Sequence, residues 1–309
     1  MTRQIALLAN PTAGRGHADQ ILDAVTARLE ASGAVVEHLI GDDAEHALEL
    51  ARKAAADGVD TVVTLGGDGM VHVAVQALAE TEVSLGVVPL GTGNDFARAL
   101  GIPAGDPLAA ADVVVRNHPR RIDLGRTPHT ASGSASAGDT WFATVLAAGF
   151  DAAVNERANA MRWAHGDLRY TLAALSVIRS WTPVPYRLEI EDATGATTVR
   201  EQEAMLLAIA NTESYGGGLR IAAECDPADG LLDAILIKPV SRLEFLRVFP
   251  GVRQAKHLTH PAFERIRARR IAVSAPGVIA YSDGERLGPL PLDVGCVPSA
   301  LGVLVPPRA

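Results

Sequence analysis

Three glycine-bearing turns, Asn10-Pro11-Thr12-Ala13-Gly14, Gly66-Gly67-Asp68-Gly69 and Gly91-Thr92-Gly93-Asn94-Asp95, each follow a short apolar run near the start of the chain. Those runs, Ile5 to Ala9, Thr61 to Leu65 and Ser84 to Pro89, read as strands, and Val35 to Ile40 is a fourth. Between them the apolar residues take helical spacing. Ile21, Leu22, Val25 and Leu29 mark a helix over residues 17 to 32, and further helices are predicted over 43 to 56 and 70 to 79. Strands alternating with helices predict a doubly wound, mostly parallel α/β sheet. In such a sheet ligands sit beyond the carboxyl ends of the strands, where helix N-termini present unpaired N–H groups. Glycine lets the backbone there adopt positive φ and approach an anion with no Cβ in the way. One such turn is more often only a turn, but three at one sheet edge predict a phosphate site.

The design of that site is narrowed by what is missing. The sequence has no GxxxxGK[ST] segment, and Gly91 and Gly93 are not followed by the third glycine of a dinucleotide fingerprint. Asp68 and Asp95 sit inside anion-binding turns, where a bare carboxylate repels phosphate. A Mg²⁺ ion carried in by a nucleotide removes that repulsion, since magnesium takes oxygen ligands and keeps several waters. The alternative for Asp68 is a helix cap.

A chain of 309 residues suits two domains, and the charged fraction of 21% is that of a folded globular protein. Residues 127 to 138, TPHTASGSASAG, have neither a charged nor a large apolar side chain and read as a surface loop at a boundary. Beyond it, strands are predicted at 141 to 149, 184 to 192, 203 to 210, 231 to 238, 270 to 274 and 301 to 305, with helices at 166 to 180 and 241 to 250. The second half therefore reads as a mostly antiparallel β-sandwich. The predicted domains are 1–126, nucleotide-binding, and 127–309, substrate-binding. The net charge of −8 argues against a nucleic-acid partner. No apolar run is long enough to span a bilayer, and the start lacks a signal-peptide cleavage site, so a cytoplasmic protein is expected. Cys225 and Cys296 form no CxxC and imply neither disulfide framework nor zinc site.

The run Pro89-Leu90-Gly91-Thr92-Gly93-Asn94-Asp95-Phe96-Ala97-Arg98, with the GGDG at 66 to 69, resembles the diacylglycerol kinase catalytic domain shared by bacterial lipid kinases and sphingosine kinases. The resemblance continues in order through Asn10-Pro11 with Gly14, Ile122-Asp123-Leu124-Gly125, Gly149-Phe150-Asp151-Ala152 and Asn211. It extends to Tyr215-Gly216-Gly217-Gly218, Asp229-Gly230-Leu231-Leu232-Asp233 and Ser282-Asp283-Gly284-Glu285. Two places depart from the family's GGDGTxxE pattern, which has Thr and Glu where this chain has Met70 and Val73, and Ala223 stands where a proline is common.

The resemblance implies an NAD kinase/diacylglycerol kinase-like fold with ATP between the domains, and a last segment, 296–309, that returns to the first domain. It implies ATP and Mg²⁺ as cofactors and transfer of phosphate to a lipid hydroxyl, most simply diacylglycerol to phosphatidic acid. Asn10, Pro11, Gly14, Gly66, Gly67, Gly69, Gly91, Thr92, Gly93 and Asn94 are then nucleotide-binding, and Asp68, Asp95 and Asp123 hold Mg²⁺ through water. A second, structural metal is implied near Asp226, Asp229 and the Leu231 carbonyl. Asp283 is the implied base, with Glu285 beside it, although Asp-Gly is also a strong hairpin signal. A lipid substrate implies transient docking on the inner face of the membrane, for which Arg253, Lys256, Arg265, Arg267, Arg269 and Arg270 form a basic region. An NAD kinase-like enzyme and a binding regulator without catalysis remain the alternatives, and a homodimer is left open.

Overall fold

The computed structural model describes residues 2–9, 18–128, 139–161 and 167–307. The first half alternates as its periodicity predicts: β1 (Gln4–Ala9), α1 (Ala18–Glu30), β2 (Val35–Ile40), α2 (Ala44–Ala56), β3 (Thr61–Gly66), α3 (Asp68–Leu78) and β4 (Ser84–Pro89). The strands lie in the order β2-β1-β3-β4, all parallel. β1, β3 and β4 are buried along nearly their whole length, as expected of parallel strands covered by helices on both faces. Two short helices follow, α4 (Asp95–Ala99) and α5 (Pro107–Arg116), then β5 (Pro119–Thr127). The pattern reading passes over α5, though Asp106 accepts from the Leu108 and Ala109 amides and Pro107 opens the helix, a start signal present in the sequence.

The second half runs β6 (Thr140–Phe142), β7 (Val145–Gly149), α6 (Phe150–Ala160), α7 (Asp167–Ile178), β8 (Val184–Glu191), β9 (Thr197–Ala204), β10 (Leu206–Ala210) and β11 (Leu232–Ile237). There follow α8 (Arg242–Val248), two 3₁₀ turns at Phe249–Gln254 and Lys256–Thr259, β12 (Phe263–Ala268), β13 (Arg270–Ser274), β14 (Ile279–Ser282), β15 (Glu285–Pro289) and β16 (Leu292–Leu304). Six strands form an antiparallel sheet in the order β12-β11-β10-β7-β14-β15. It packs face to face on β8 and β13 through Phe142, Leu146, Tyr186, Leu207, Ile271 and Val294, which makes the sandwich. Its other face is covered by α6, α7 and α8.

The last strand ties the halves together. β16 pairs antiparallel with β13 over Leu292–Gly295 and with β5 over most of the rest, and its Gly302 and Val303 pair parallel with β4. One sheet of ten strands therefore runs through both halves, and Leu301, Val303 and Leu304 are buried in the first half's core. Two predicted strands are interrupted. The run 141 to 149 breaks at Ala143 and Thr144, and that break matters for the site. Residues 203 to 210 divide at Met205 between β9 and β10. β9 carries no strand pattern because its sequence, TTVREQEA, is almost wholly exposed and lacks an apolar face. Asn10, Pro11, Gly14 and residues 129–138 of the polar loop lie outside the described residues.

Candidate functional site

β3 and β4 are adjacent and parallel, so the turns that follow them meet. The Leu90 amide donates to the Gly66 carbonyl at 2.8 Å. A Cβ placed on Gly91 would lie 2.7 Å from the Gly67 Cα, which leaves room for glycine alone. Asn94 closes the second turn from an αL conformation (φ 51°): its Oδ1 accepts from the Gly91 amide at 3.0 Å and its Nδ2 donates to the Gly91 carbonyl at 2.7 Å. Thr92 and Gly69 are exposed beside this junction.

Asp68 opens α3, and the preceding Gly67 supplies no side-chain cap, so the first amides of this eleven-residue helix stay available to an anion. Asp68 does not cap its own helix; its Oδ1 lies 3.4 Å from the Phe96 amide of α4. Burial pushes the Asp68 carboxyl up, and the neighbouring Asp95 pushes it further against the pull of nearby amides. A Cβ on Gly93 would sit 2.7 Å from Asp68 Oδ2 and 3.5 Å from Asp95 Oδ2, so the two carboxylates share one corner. Among the described residues no Lys or Arg pairs with either. This unneutralised pair fits an oxygen-loving cation such as Mg²⁺. No group of three ligating side chains is found among the described residues, so a cation here would take its other oxygens from phosphate and water.

The expected magnesium set is divided by the structure. Asp95 accepts from the Gly217 and Gly218 amides at 2.7 Å each, on a loop where Gly216, Gly217 and Gly218 all have positive φ. Asp95 thus clamps the two halves together while facing Asp68. Asp123 is placed elsewhere: its carboxylate accepts from the Gly230 amide at 2.6 Å and the Ser299 amide at 2.8 Å, and its own amide donates to the Pro227 carbonyl. It belongs with the loop bearing Asp226, Asp229 and Leu231. There Asp226 pairs with Arg120 and Asp229 with Arg267, while the Leu231 amide donates to Asp229. Two of that loop's carboxylates, Asp226 and Asp229, are thus each met by an arginine.

Asp283 and Gly284 form the two-residue turn between β14 and β15, with φ of 50° and 88°, as a type I′ hairpin requires. The Asp283 carboxylate reaches into the break between β6 and β7. Oδ2 accepts from the Ala143 amide at 2.9 Å, and Oδ1 accepts from the Thr144 amide at 2.9 Å and from Thr144 Oγ1 at 2.5 Å. His72 Nδ1 lies 3.5 Å from Oδ2. Burial alone pushes the Asp283 carboxyl up, but the hydrogen bond and charge of His72, with the Thr144 and Ala143 donors, outweigh it and hold it below the usual range. The reverse holds for His72: burial works against its charge, Asp283 and Glu285 favour it, and its affinity for a proton is raised. Glu285 is exposed and acts here through charge alone.

His72 is a candidate site residue that the sequence reading does not single out, although a signal exists. Asp68, His72 and Gln76 fall at i, i+4 and i+8 on α3 and so form one stripe. That stripe faces the second half: Gln76 exchanges two hydrogen bonds with the Trp141 backbone, at 2.7 and 3.0 Å. Met70 packs over Gly66 and Val73 is buried in the first core, so the two departures from the family pattern lie off this stripe and are absorbed by apolar packing. Nearby, Asp151 at the start of α6 accepts from Tyr215 Oη at 3.0 Å, and burial raises its carboxyl to about 6.

Comparison with known proteins gives a consistent result. The family description "Diacylglycerol kinase catalytic domain" matches residues 4–127, and "YegS C-terminal NAD kinase beta sandwich-like domain" matches residues 144–305. A diacylglycerol kinase of Mycobacterium tuberculosis (strain CDC 1551 / Oshkosh) is 41% identical over 303 residues, 98% of this chain and 95% of its own length. A crystal structure of a diacylglycerol kinase from Bacillus anthracis str. Sterne superposes with a TM-score of 0.73 at 19% identity, covering 99% of this chain and 97% of that one. Yeast NADH kinase complexed with NADH shares the fold more distantly, with a TM-score of 0.54 at 14% identity, covering 98% of this chain and 82% of that one.

Proposed function

Because the chain belongs to the diacylglycerol kinase family and is a lipid kinase, we propose that it transfers the terminal phosphate of ATP, with Mg²⁺, to the free hydroxyl of diacylglycerol. The observation that carries this reading is the unneutralised Asp68–Asp95 corner at the open N-terminus of α3, one turn from the His72–Asp283 pair that joins the two halves. Phosphoryl transfer asks a protein for positioning and charge compensation above all. The turns at Gly66 to Gly69 and Gly91 to Asn94 offer backbone donors for the phosphates, and Asn10, Pro11 and Gly14 belong to the same proposed nucleotide site. Asp68 and Asp95 would hold the Mg²⁺, which when bound offsets the charge gathered on the phosphate oxygens. Asp283 and His72 supply the basic group for the hydroxyl proton.

The test is incubation of the purified protein with ATP, Mg²⁺ and a panel of diacylglycerol, monoacylglycerol, ceramide, sphingosine and NAD, with products identified by mass spectrometry. Phosphatidic acid that disappears on chelation is expected. A phosphorylated NAD product with no lipid product would favour the NAD kinase-like alternative and end the lipid assignment.

No helix among the described residues is long and apolar enough to cross a membrane, so the lipid must be met at a bilayer surface. The basic region expected from the sequence is not the best face for this. Arg265, Arg267 and Arg270 are tied to Asp233, Asp229 and Asp293, and Arg253 donates to the Gly217 carbonyl. We place the docking surface on α8 instead, where Leu243 is 77% and Leu246 44% exposed between exposed Arg242 and Arg247, with Lys256 close behind in sequence. Exposed apolar side chains flanked by cations suit an anionic bilayer at its inner face, with each basic residue adding about 1 kcal/mol. Phe245 points inward over an apolar crevice lined by Leu206, Tyr215, Leu219 and Val252. Flotation with phosphatidylglycerol-containing vesicles at low salt is expected for the native chain and lost in Leu243→Asp/Leu246→Asp. Equal flotation of both proteins would reject this face.

A further inference from the structure

We propose that Asn211 is a positioning residue for the base: through one peptide group it sets where the Asp283 carboxylate stands and how firmly that carboxylate holds a proton. The inference deepens the reading above and rests on it, with Asp283 as the group that takes the hydroxyl proton.

The first ground is a direct chain of contacts. Asn211 Nδ2 donates to the Ala143 carbonyl at 3.0 Å, and the Thr144 amide donates to Asp283 Oδ1 at 2.9 Å. That carbonyl and that amide belong to the same peptide group. A trans peptide is flat and turns its C=O and N–H to opposite sides, so Asn211 stands directly behind a donor that Asp283 accepts from. A hydrogen bond on the carbonyl also polarises the amide on the other side. The next carbonyl, that of Thr144, accepts from the Asn211 amide at 2.8 Å and the Thr212 amide at 3.3 Å. The β7–β10 ladder ends at the Val145–Ala210 pair, so beyond it the break that cradles Asp283 is held from this side by residues 211 and 212.

The second ground is the residue type. Nδ2 also donates to the Asp123 carbonyl of β5 at 2.8 Å. Both partners are carbonyl oxygens, which only accept, so the NH₂ must face them. Oδ1 then faces away and has no partner among the described residues. Asn211 is fully buried, and a bare buried acceptor is a cost. A side chain needed only to fill this space would be apolar, as Ile209 and Ala210 before it are. Apart from the longer glutamine, no other uncharged side chain puts two donors on one atom. Asparagine uses them to fasten the break beside Asp283 to a strand of the ten-stranded sheet.

Asp283 is the group this arrangement tunes. Burial pushes its carboxyl up, while His72 and the Thr144 and Ala143 donors bring it below the usual range. His72 of α3 is the titratable group facing it from another element, Glu285 follows it in the chain, and the break brings only the uncharged Ala143 and Thr144. Without the Asn211 amide the 143–144 peptide can turn from Asp283, and burial gains the upper hand.

The test is a mutant cycle of Asn211→Ala with Asp283→Asn, assayed with ATP, Mg²⁺ and diacylglycerol in mixed micelles. Asn211→Ala alone is expected to lower kcat about 10- to 100-fold and to keep the KM for ATP within about threefold, because its side-chain bonds go to Asp123 and Ala143 and not to the glycine turns. In the Asp283→Asn background the same substitution is expected to cost less than about threefold, since residues that act as a unit are not additive. A loss in that background as large as in the native chain would overturn the proposal and leave lipid phosphorylation standing. So would a single-variant kcat within about threefold of native. Carbon NMR of the Asp283 carboxyl gives a readout without turnover, legible even if the native enzyme makes no phosphatidic acid. The carboxyl is expected to titrate about 1 pH unit higher in Asn211→Ala than in the native chain, and an unmoved titration would also overturn the proposal. Asn211→Ser is measured alongside and is expected to behave alike. Failure of both variants to fold would make Asn211 a folding residue only and overturn its positioning role.

Discussion

Asp283→Asn is expected to slow lipid phosphorylation at least ~100-fold, equivalent to ~2.7 kcal/mol of transition-state stabilisation, while the variant stays folded and binds ATP. The backbone tolerates the change, because asparagine accepts positive φ as readily as aspartate at the φ of 50° found here. The side chain does not. Asparagine has one acceptor oxygen and one NH₂, so it can serve either the Thr144 donors or the Ala143 amide and must turn a donor toward the other. A melting temperature lowered in keeping with ~1–3 kcal/mol follows from that mismatch. The larger effect is electrostatic. The carboxylate that would take up the hydroxyl proton, and whose charge favours protonated His72, disappears. Steady-state kinetics with calorimetric ATP titration checks both parts. Near-native turnover would remove Asp283 from the role of base.

Asp68→Ala is expected to abolish magnesium-dependent nucleotide binding, with affinity for Mg-ATP falling by roughly two orders of magnitude or more as a paired metal contact at the phosphates is lost. The same substitution should not weaken the nucleotide-free fold. Burial and Asp95 raise the Asp68 carboxyl, so its native-state contribution is favourable below the ordinary carboxylate pKa and is lost as pH rises through the raised value. At neutral pH the ionised side chain is therefore a burden on the empty protein, and its removal should leave the melting temperature unchanged or higher. Loss of binding with gain of stability marks a residue kept for its ligand. Unchanged Mg-ATP affinity by titration calorimetry would contradict the metal assignment.

The two predictions differ in how far they could be reached from residues alone. The parallel strands β1 to β4 and the glycine turns after β3 and β4 are written in short stretches: apolar runs of strand length, helical periodicity between them, and glycines where backbones touch, as at Gly67 and Gly91. The Asp283–Gly284 hairpin is legible for the same reason, since a type I′ turn depends on its own two residues. Asp68 follows directly from the first of these turns.

What the tertiary structure decided is which distant groups each of those side chains meets. Asp95 and Asp123 look alike as acidic residues in glycine-rich surroundings, yet one faces Asp68 while holding amides 122 and 123 residues away, and the other closes a separate loop with amides 107 and 176 residues away. His72 meets Asp283 across 211 residues, and β16 crosses back to pair with β4. Local sequence encodes periodicity, turn preference and helix starts because those are set by neighbouring side chains and backbone sterics. A backbone N–H carries no signature of its residue type, so the amides that claim a carboxylate are assigned only when long-range packing brings their loops to it.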